Sequence, residues 1–328
     1  MRCTNKKSVW KFLCAALTAA CIFSGCGSLP YDMAYGTVSG VSSFNVVSGQ
    51  DTRIAKSFAV DLCVAYGDIP ASDNRPVNLQ QAEAAALFDL NGRNTVYAKN
   101  IHEQLHPASL TKVMTALVAL KNGRLDQVLT ATSSVNISES GAVLMGLKVG
   151  DTMTLDQALR IMLLYSANDA AMLVAEGVGG SVEEFVEMMN QEALRLGATN
   201  THFVNPHGLT DANHYTTAYD LYLIFNEAIK YETFTEIIQM ASYQTTYYDK
   251  NGKAKEFDKP TTNRFLKDFQ APANVTVIGG KTGTTSAAGH CLMLLTRDVG
   301  GAPYISVILR SNDTVYEEMN ELLRQINN

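Results

Sequence analysis

The sequence predicts an α+β fold, with one antiparallel sheet closed by the two ends of the chain and helices packed on it. Three observations predict it. Short apolar or β-branched runs lie towards both ends of the chain, within 84–98 and 275–309. A long block between them carries apolar residues at helical spacing. Strand and helix patterns do not alternate along the chain, as parallel βα units would require.

Taken in order, Ala84 to Leu90 and Thr95 to Ala98 flank Asn91-Gly92, a strong hairpin signal. Ser109 to Leu120 follows Pro107, is dense in Ala, Leu, Val and Met, and ends near Asn122-Gly123, so it reads as a buried helix. Leu155 to Ala175 continues as helix with a polar interruption at Ser166-Ala167-Asn168-Asp169. Ser181 to Leu196 opens with Ser181 and Glu184 at capping-box spacing and closes at Gly197. Thr217 to Ile229 and Phe234 to Ala241 read as further helices. Val275 to Ile278, Cys291 to Thr296 and Ile305 to Leu309 read as strands, and Val315 to Ile326 as a last helix.

Composition bounds the class. Of 328 residues, 46% are apolar and 18% charged, close to globular averages, which argues against disorder and against a multi-span membrane protein. A chain this long can bury a core without disulfides or metal. The net charge of −6 gives no support to nucleic-acid binding.

The N-terminus reads as a targeting segment. Arg2, Lys6, Lys7 and Lys11 precede an uncharged run from Phe12 to Phe23, too short to span a bilayer and suited to a signal peptide. Phe23-Ser24-Gly25-Cys26 resembles a bacterial lipobox, which makes Cys26 the expected lipidation site, with Phe23 where Leu is usual. Residues 1–25 are therefore assigned to the signal, 26–55 (rich in Gly, Ser and Val) to a flexible tether, and 56–328 to a catalytic domain. Losing four basic residues with the signal takes the net charge to −10. It also leaves Cys63 and Cys291 as the only cysteines of the folded part, each in an apolar setting, so buried thiols are expected rather than a disulfide framework.

Three short motifs carry chemistry. In Ser109-Leu110-Thr111-Lys112, positions i and i+3 share a helix face, so hydroxyl and amine can meet. A serine needs a base to become a nucleophile, and a lysine is a base only when burial or a neighbouring cation keeps it neutral. Ser166-Ala167-Asn168 places a hydroxyl and an amide inside an apolar stretch, where they could move a proton and hold an amide, or simply cap a helix junction. Lys281-Thr282-Gly283-Thr284 could bind a carboxylate and offer a backbone N–H to an oxyanion, or form a hairpin turn with a surface lysine. Singly, each is bland. In this order, with 57 residues from Ser109 to Ser166 and 115 from Ser166 to Lys281, they resemble the signature of penicillin-binding proteins and class A β-lactamases.

The resemblance extends to longer stretches. Ser166-Ala-Asn-Asp-Ala-Ala171, Asn205-Pro-His-Gly-Leu209, His214-Tyr-Thr-Thr-Ala-Tyr-Asp220 and Gly280-Lys-Thr-Gly-Thr284 are similar to segments of the low-molecular-mass D-alanyl-D-alanine carboxypeptidases. The similarity covers about 84–328. It implies a β-lactamase/transpeptidase-like fold: a five-stranded antiparallel sheet flanked by helices, with a helical subdomain. It implies that Ser109 is the nucleophile, Lys112 its general base and Ser166 the proton relay to the leaving D-alanine. Asn168 would hold the peptide, and Lys281, Thr282, Gly283 and Thr284 would receive the terminal carboxylate, with Arg264 as a further contact. The oxyanion hole would be the N–H groups of Ser109 and Thr284. The implied ligands are peptidoglycan stem peptides ending in D-Ala-D-Ala, and β-lactams, at the extracytoplasmic face of the membrane. No cofactor and no metal are implied. His102 and His106, and the group His202, His207 and His214, could suit zinc, but no His-Glu-x-x-His is present.

Two other functions fit the scaffold. A class A β-lactamase would carry a deacylating glutamate on the stretch that is Thr201 to Leu209 here, and that stretch holds none. A catalytically silent wall-binding or sensor lipoprotein is opposed by three intact motifs. The amphipathic anchor and second β-rich domain common in the family do not follow Val315 to Ile326 here, so the lipid on Cys26 is expected to be the only anchor.

Overall fold

The computed structural model describes residues 61–71 and 76–326. The expected signal segment, Cys26 and the tether lie outside the described residues. Strand β1 (Ala84–Asp89) and β2 (Asn94–Lys99) open the sheet as the hairpin expected. Its loop is longer than a two-residue Asn-Gly turn: the Asp89 carboxylate accepts the N–H groups of Asn91 and Gly92, and the left-handed residue is Arg93 (φ 53°). A short 3₁₀ turn (Ala108–Leu110) leads into α1 (Thr111–Asn122). Next come β3 (Val128–Thr130), β4 (Thr152–Thr154), α2 (Leu155–Leu164), α3 (Asn168–Gly179) and α4 (Val182–Leu196). Then follow α5 (Ala218–Ala228), α6 (Glu232–Ile238), β5 (Ser242–Tyr248) and β6 (Ala254–Pro260). The chain closes with β7 (Val275–Thr285), β8 (Gly289–Asp298), β9 (Pro303–Ser311) and α7 (Val315–Leu323).

The main sheet has the order β2-β1-β9-β8-β7 and is antiparallel throughout, the five strands expected. Successive side chains of a strand point to opposite faces. Ala84, Ala86, Phe88, Met293, Leu295, Ile305 and Val307 therefore join the helical core on one face. Ala85, Leu87, Leu292, Leu294 and Ile308 meet Val315, Met319, Leu322 and Leu323 of α7 on the other. Helix α5 crosses β1 and β9 on the first face. Helix α1 contacts α2, α3, α4 and α5, and its first nine residues are all buried, which is what a helix apolar on every side requires.

The polar interruption expected within Leu155 to Ala175 is a full break between α2 and α3, where Ser166 takes a left-handed conformation (φ 70°). One expectation changes. The Lys281 motif is not a turn, because β7 runs in hydrogen bonding with β8 from Val275 to Thr285, with one register shift near Gly279. A second sheet, β3-β4-β5-β6, has no counterpart in the sequence reading. Among the described residues no helix is long and apolar enough to cross a membrane.

Candidate active site

The 3₁₀ turn before α1 presents Ser109, and the first turn of α1 presents Lys112, whose side chain is fully buried. Lys112 Nζ stands 2.9 Å from Ser109 Oγ. It donates to Asn168 Oδ1 at 2.6 Å and to the His207 carbonyl at 2.6 Å. Burial, and then the charge of Lys281, push its pKa well below the usual lysine value, against a smaller opposing pull from Asp169. The shift makes the neutral form easier to reach than for an exposed lysine. A neutral amine has two N–H bonds and one lone pair. In the neutral form, with both hydrogens on the two carbonyl acceptors, the lone pair would face the Ser109 hydroxyl.

Ser166 ends the break between α2 and α3, and its left-handed backbone is a strained state for a side chain with a Cβ. That conformation brings its hydroxyl to Lys281, whose Nζ donates to Ser166 Oγ at 3.0 Å and to the Thr282 carbonyl at 2.9 Å. Burial lowers Lys281 to about 7. Burial lowers both lysines, and Lys112 is lowered further by the charge of Lys281 beside it. Thr282 and Thr262 share a hydroxyl hydrogen bond of 2.7 Å beside it.

Close packing needs glycine twice. A Cβ on Gly283 would lie 2.9 Å from the Ser109 amide nitrogen and 3.1 Å from the Pro107 carbonyl, so β7 reaches the Ser109 backbone only without one. A Cβ on Gly208 (φ 90°) would lie 1.9 Å from the Ala108 carbonyl oxygen. The Asn205-Pro-His-Gly loop is thereby pressed onto the turn that carries Ser109. Asn205 Oδ1 accepts the N–H of Gly208 at 2.7 Å, and Asn205 Nδ2 donates to the Leu209 carbonyl, which aims the His207 carbonyl at Lys112. The stretch flagged in the sequence for its resemblance alone thus has a physical task.

Above these groups is a cleft of about 320 Å³ lined by Ser109, Ser166, Thr282, Gly283, Thr284 and Arg264, together with Val143, Thr262, His290 and Tyr316. Lys112, Asn168 and Lys281 are buried behind it. No Asp or Glu lines it among the described residues. Arg264 reaches the cleft but is also held by Asp268 at 3.3 Å and lies against the rings of Phe269 and Tyr316. Asp169, buried beside Asn168, accepts the N–H groups of Met145, Gly146 and Leu147, and Asn168 donates its own N–H to the Val143 carbonyl. These bonds fix the wall that carries Val143. The sequence reading gave no task to Asp169, Thr262 or the His207 carbonyl. For Asp169 the signal was its place directly after Asn168.

Residues 71–313 match the family model described as D-alanyl-D-alanine carboxypeptidase. The chain belongs to the D-alanyl-D-alanine carboxypeptidase family. Its relatives include D-alanyl-D-alanine carboxypeptidase DacF of Bacillus subtilis, 36% identical over 65% of this chain and 53% of its own length. The D-alanyl-D-alanine carboxypeptidase of a Streptomyces strain, K15, is 30% identical over 76% of this chain and 88% of its own. The crystal structure of the Streptomyces K15 DD-transpeptidase superposes with a TM-score of 0.70 at 27% identity, covering 76% of this chain and 97% of that one. The D-alanyl-D-alanine carboxypeptidase of Mycobacterium tuberculosis superposes with 0.69, also at 27% identity, covering 79% of this chain and 95% of that one. The chain spans between half and two thirds of the length of several curated relatives it matches.

The family's three motifs converge here, and the histidines serve the frame. His207 and His214 are buried and pushed down to about 3, chiefly by desolvation. His214 bridges the Thr111 hydroxyl and the Val204 N–H, and His106 and His202 bond the carbonyls of His214 and Asn213. Cys63 and Cys291 are buried free thiols, raised by desolvation to about 11 and about 12.

A pH test follows from the lysine pair. Lys281 lowers the pKa of Lys112, so Lys281→Met should raise it, and the acid limb of Ser109 acylation by a penicillin should move to higher pH. A stopped-flow pH profile that keeps its acid limb in place would show that Lys281 does not act on Lys112.

Proposed function

We propose that this chain is a serine D-Ala-D-Ala carboxypeptidase that removes the terminal D-alanine from peptidoglycan stem peptides through an acyl-enzyme, with 56–328 as its catalytic domain. The observation that carries this reading is the buried Lys112 amine 2.9 Å from Ser109 Oγ. Ser109 Oγ attacks the carbonyl of the penultimate D-alanine as its proton passes to Lys112 Nζ. The tetrahedral oxyanion is held by the N–H groups of Ser109 and Thr284. Collapse breaks the peptide bond, and the proton reaches the leaving amine through Ser166. Water then repeats the sequence on the ester and frees Ser109. Lys281, Thr282, Thr284 and Arg264 receive the substrate's terminal carboxylate. A cationic pocket beside the nucleophile selects a chain end, which makes the enzyme an exopeptidase.

The test is release of D-alanine from diacetyl-L-Lys-D-Ala-D-Ala, with a penicilloyl adduct mapped to the peptide that carries Ser109. A protein that gives neither is no carboxypeptidase.

The class A β-lactamase reading is disfavoured by the loop over Lys112. It offers a backbone carbonyl, that of His207, and no carboxylate lines the cleft among the described residues. Among the described residues no carboxylate is placed there to activate a deacylating water on the penicilloyl ester. The adduct should persist for minutes or longer by intact mass, and rapid antibiotic hydrolysis would refute this.

The proposed location is the extracytoplasmic face of the membrane, held by lipid on Cys26. Cys26→Ser should move the protein into the soluble fraction; if it stays with the membrane, the anchor lies elsewhere.

A further inference from the structure

A second cleft, of about 450 Å³, opens beyond the C-terminal end of β7. Its walls include Gln104, His106, Tyr215, Ser286, Ala287 and Arg310. His106 stands three residues before Ser109 and Ser286 two residues after Thr284, so the cleft borders the catalytic machinery. Thr210 Oγ1 donates to Thr285 Oγ1 at 3.3 Å, tying the loop that carries Ala212 to the same hairpin.

Arg310 sits there in an unusual backbone state. Strands β8 and β9 pair His290 with Ser311 and Leu292 with Ile308, so Leu309 and Arg310 together stand opposite Cys291. Such a bulge re-aims a side chain. Arg310 also has φ 51°, a left-handed conformation strained for any residue with a Cβ and found mostly where function holds it. Among the described residues its guanidinium is paired with Glu83, at 3.7 Å, and both side chains are about half-exposed. An exposed pair this loose holds weakly. No Asp or Glu lines the cleft among the described residues, whereas an amide, a phenol and a guanidinium do.

Direction along β7 supplies the rest, and here the inference rests on the carboxypeptidase reading. With the substrate's terminal carboxylate at Lys281 and Thr282, the acyl side of the peptide runs towards Thr285. An extended chain advances about 3.3 Å per residue, so two or three residues before the scissile bond reach Ser286 and Ala287. We propose that this cleft is a subsite for a carboxylate carried on the acyl side of the substrate, two or three residues before the scissile bond, with Arg310 as its charged contact.

The probes are two N-acetylated γ-D-glutamyl-L-lysyl-D-alanyl-D-alanine peptides, one with the glutamyl α-carboxyl free and one with it amidated. Binding is measured by calorimetry on the full chain carrying Ser109→Ala. The free acid should bind about tenfold more tightly than the amide, a charge-assisted contact's worth. Adding Arg310→Gln should erase the preference. Arg310→Gly should erase it too, and it suits a left-handed backbone, so a loss shared by both variants does not come from misfolding. Equal binding of the two peptides, or a preference that survives both variants, overturns the proposal. Turnover by the chain with Ser109 intact separates the two readings. If neither peptide releases D-alanine while the Arg310-dependent preference persists, the carboxypeptidase reading falls and the anion subsite stands.

Discussion

Asn168→Asp should cut acylation of Ser109 by about 10³-fold, the scale of losing a general base. The change replaces one amide nitrogen by oxygen and keeps the shape of the side chain. Its effect comes from charge. Asn168 Oδ1 lies 2.6 Å from Lys112 Nζ, in a site where both side chains are buried. A carboxylate at that distance favours the ammonium form and raises the lysine pKa. An ammonium has no lone pair to accept the serine proton. The sign predicts the pH behaviour: the deficit should shrink as pH rises and the lysine is forced neutral. Asn168→Ala removes an acceptor without adding charge, so its loss should be smaller and should not recover at high pH. Pre-steady-state acylation with a chromogenic cephalosporin from pH 6 to 10 distinguishes the two. If Asn168→Asp acylates at the wild-type rate at pH 7, Lys112 is not the base.

The second large effect is expected at Gly208→Ala. An added methyl meets the Ala108 carbonyl oxygen at 1.9 Å, and the position has φ 90°. Strain of this kind costs about 1–3 kcal/mol before the clash is counted. The obstacle is backbone, which cannot rotate away, so the total should exceed about 3 kcal/mol. For a domain of this size that corresponds to a fall in Tm of about 6–12 °C. The displaced atoms belong to the residue before Ser109, and the loop also carries the His207 carbonyl on Lys112. Acylation should therefore fall at temperatures where the protein is still folded. Calorimetry together with penicillin labelling at 20 °C reads both. A variant that melts as the wild type does would show that the loop is not pressed on the nucleophile turn.

What could be read in the sequence follows physical range. Ser109 and Lys112 are three residues apart, so their meeting was legible from helix geometry. The partners that orient the amine are not: Asn168 is 56 residues away and His207 is 95. The family resemblance supplied Asn168 as a peptide contact, and nothing in the sequence gave the His207 carbonyl a task. The strand character of Lys281 to Thr284 was hidden by glycines, which read locally as a turn, whereas Gly283 is there because β7 meets the Ser109 backbone. The second sheet was hidden for another reason. Ser242–Tyr248 and Ala254–Pro260 are polar strands without an aliphatic run, and Val128–Thr130 and Thr152–Thr154 are three residues each. Their tyrosines and threonines favour strands, but a search for apolar periodicity passes over them. Ser166 was placed correctly at a helix break, and its left-handed backbone was beyond the reach of pattern.

The pairing of β1 with β9 has a consequence for how the molecule comes into being. Ala84–Asp89 forms its ladder with residues 304–309, more than 200 positions later. Loop closure over that distance is entropically slow, and contacts so remote in sequence put a domain among the late folders. The sheet's middle is therefore missing until almost the whole polypeptide has been synthesised. A nascent or truncated chain ending before about residue 303 carries Ser109 and Lys112 but has neither the sheet nor β7 held against the serine. The two halves of the main sheet, β2-β1 and β8-β7, are joined only once β9 is in place between them.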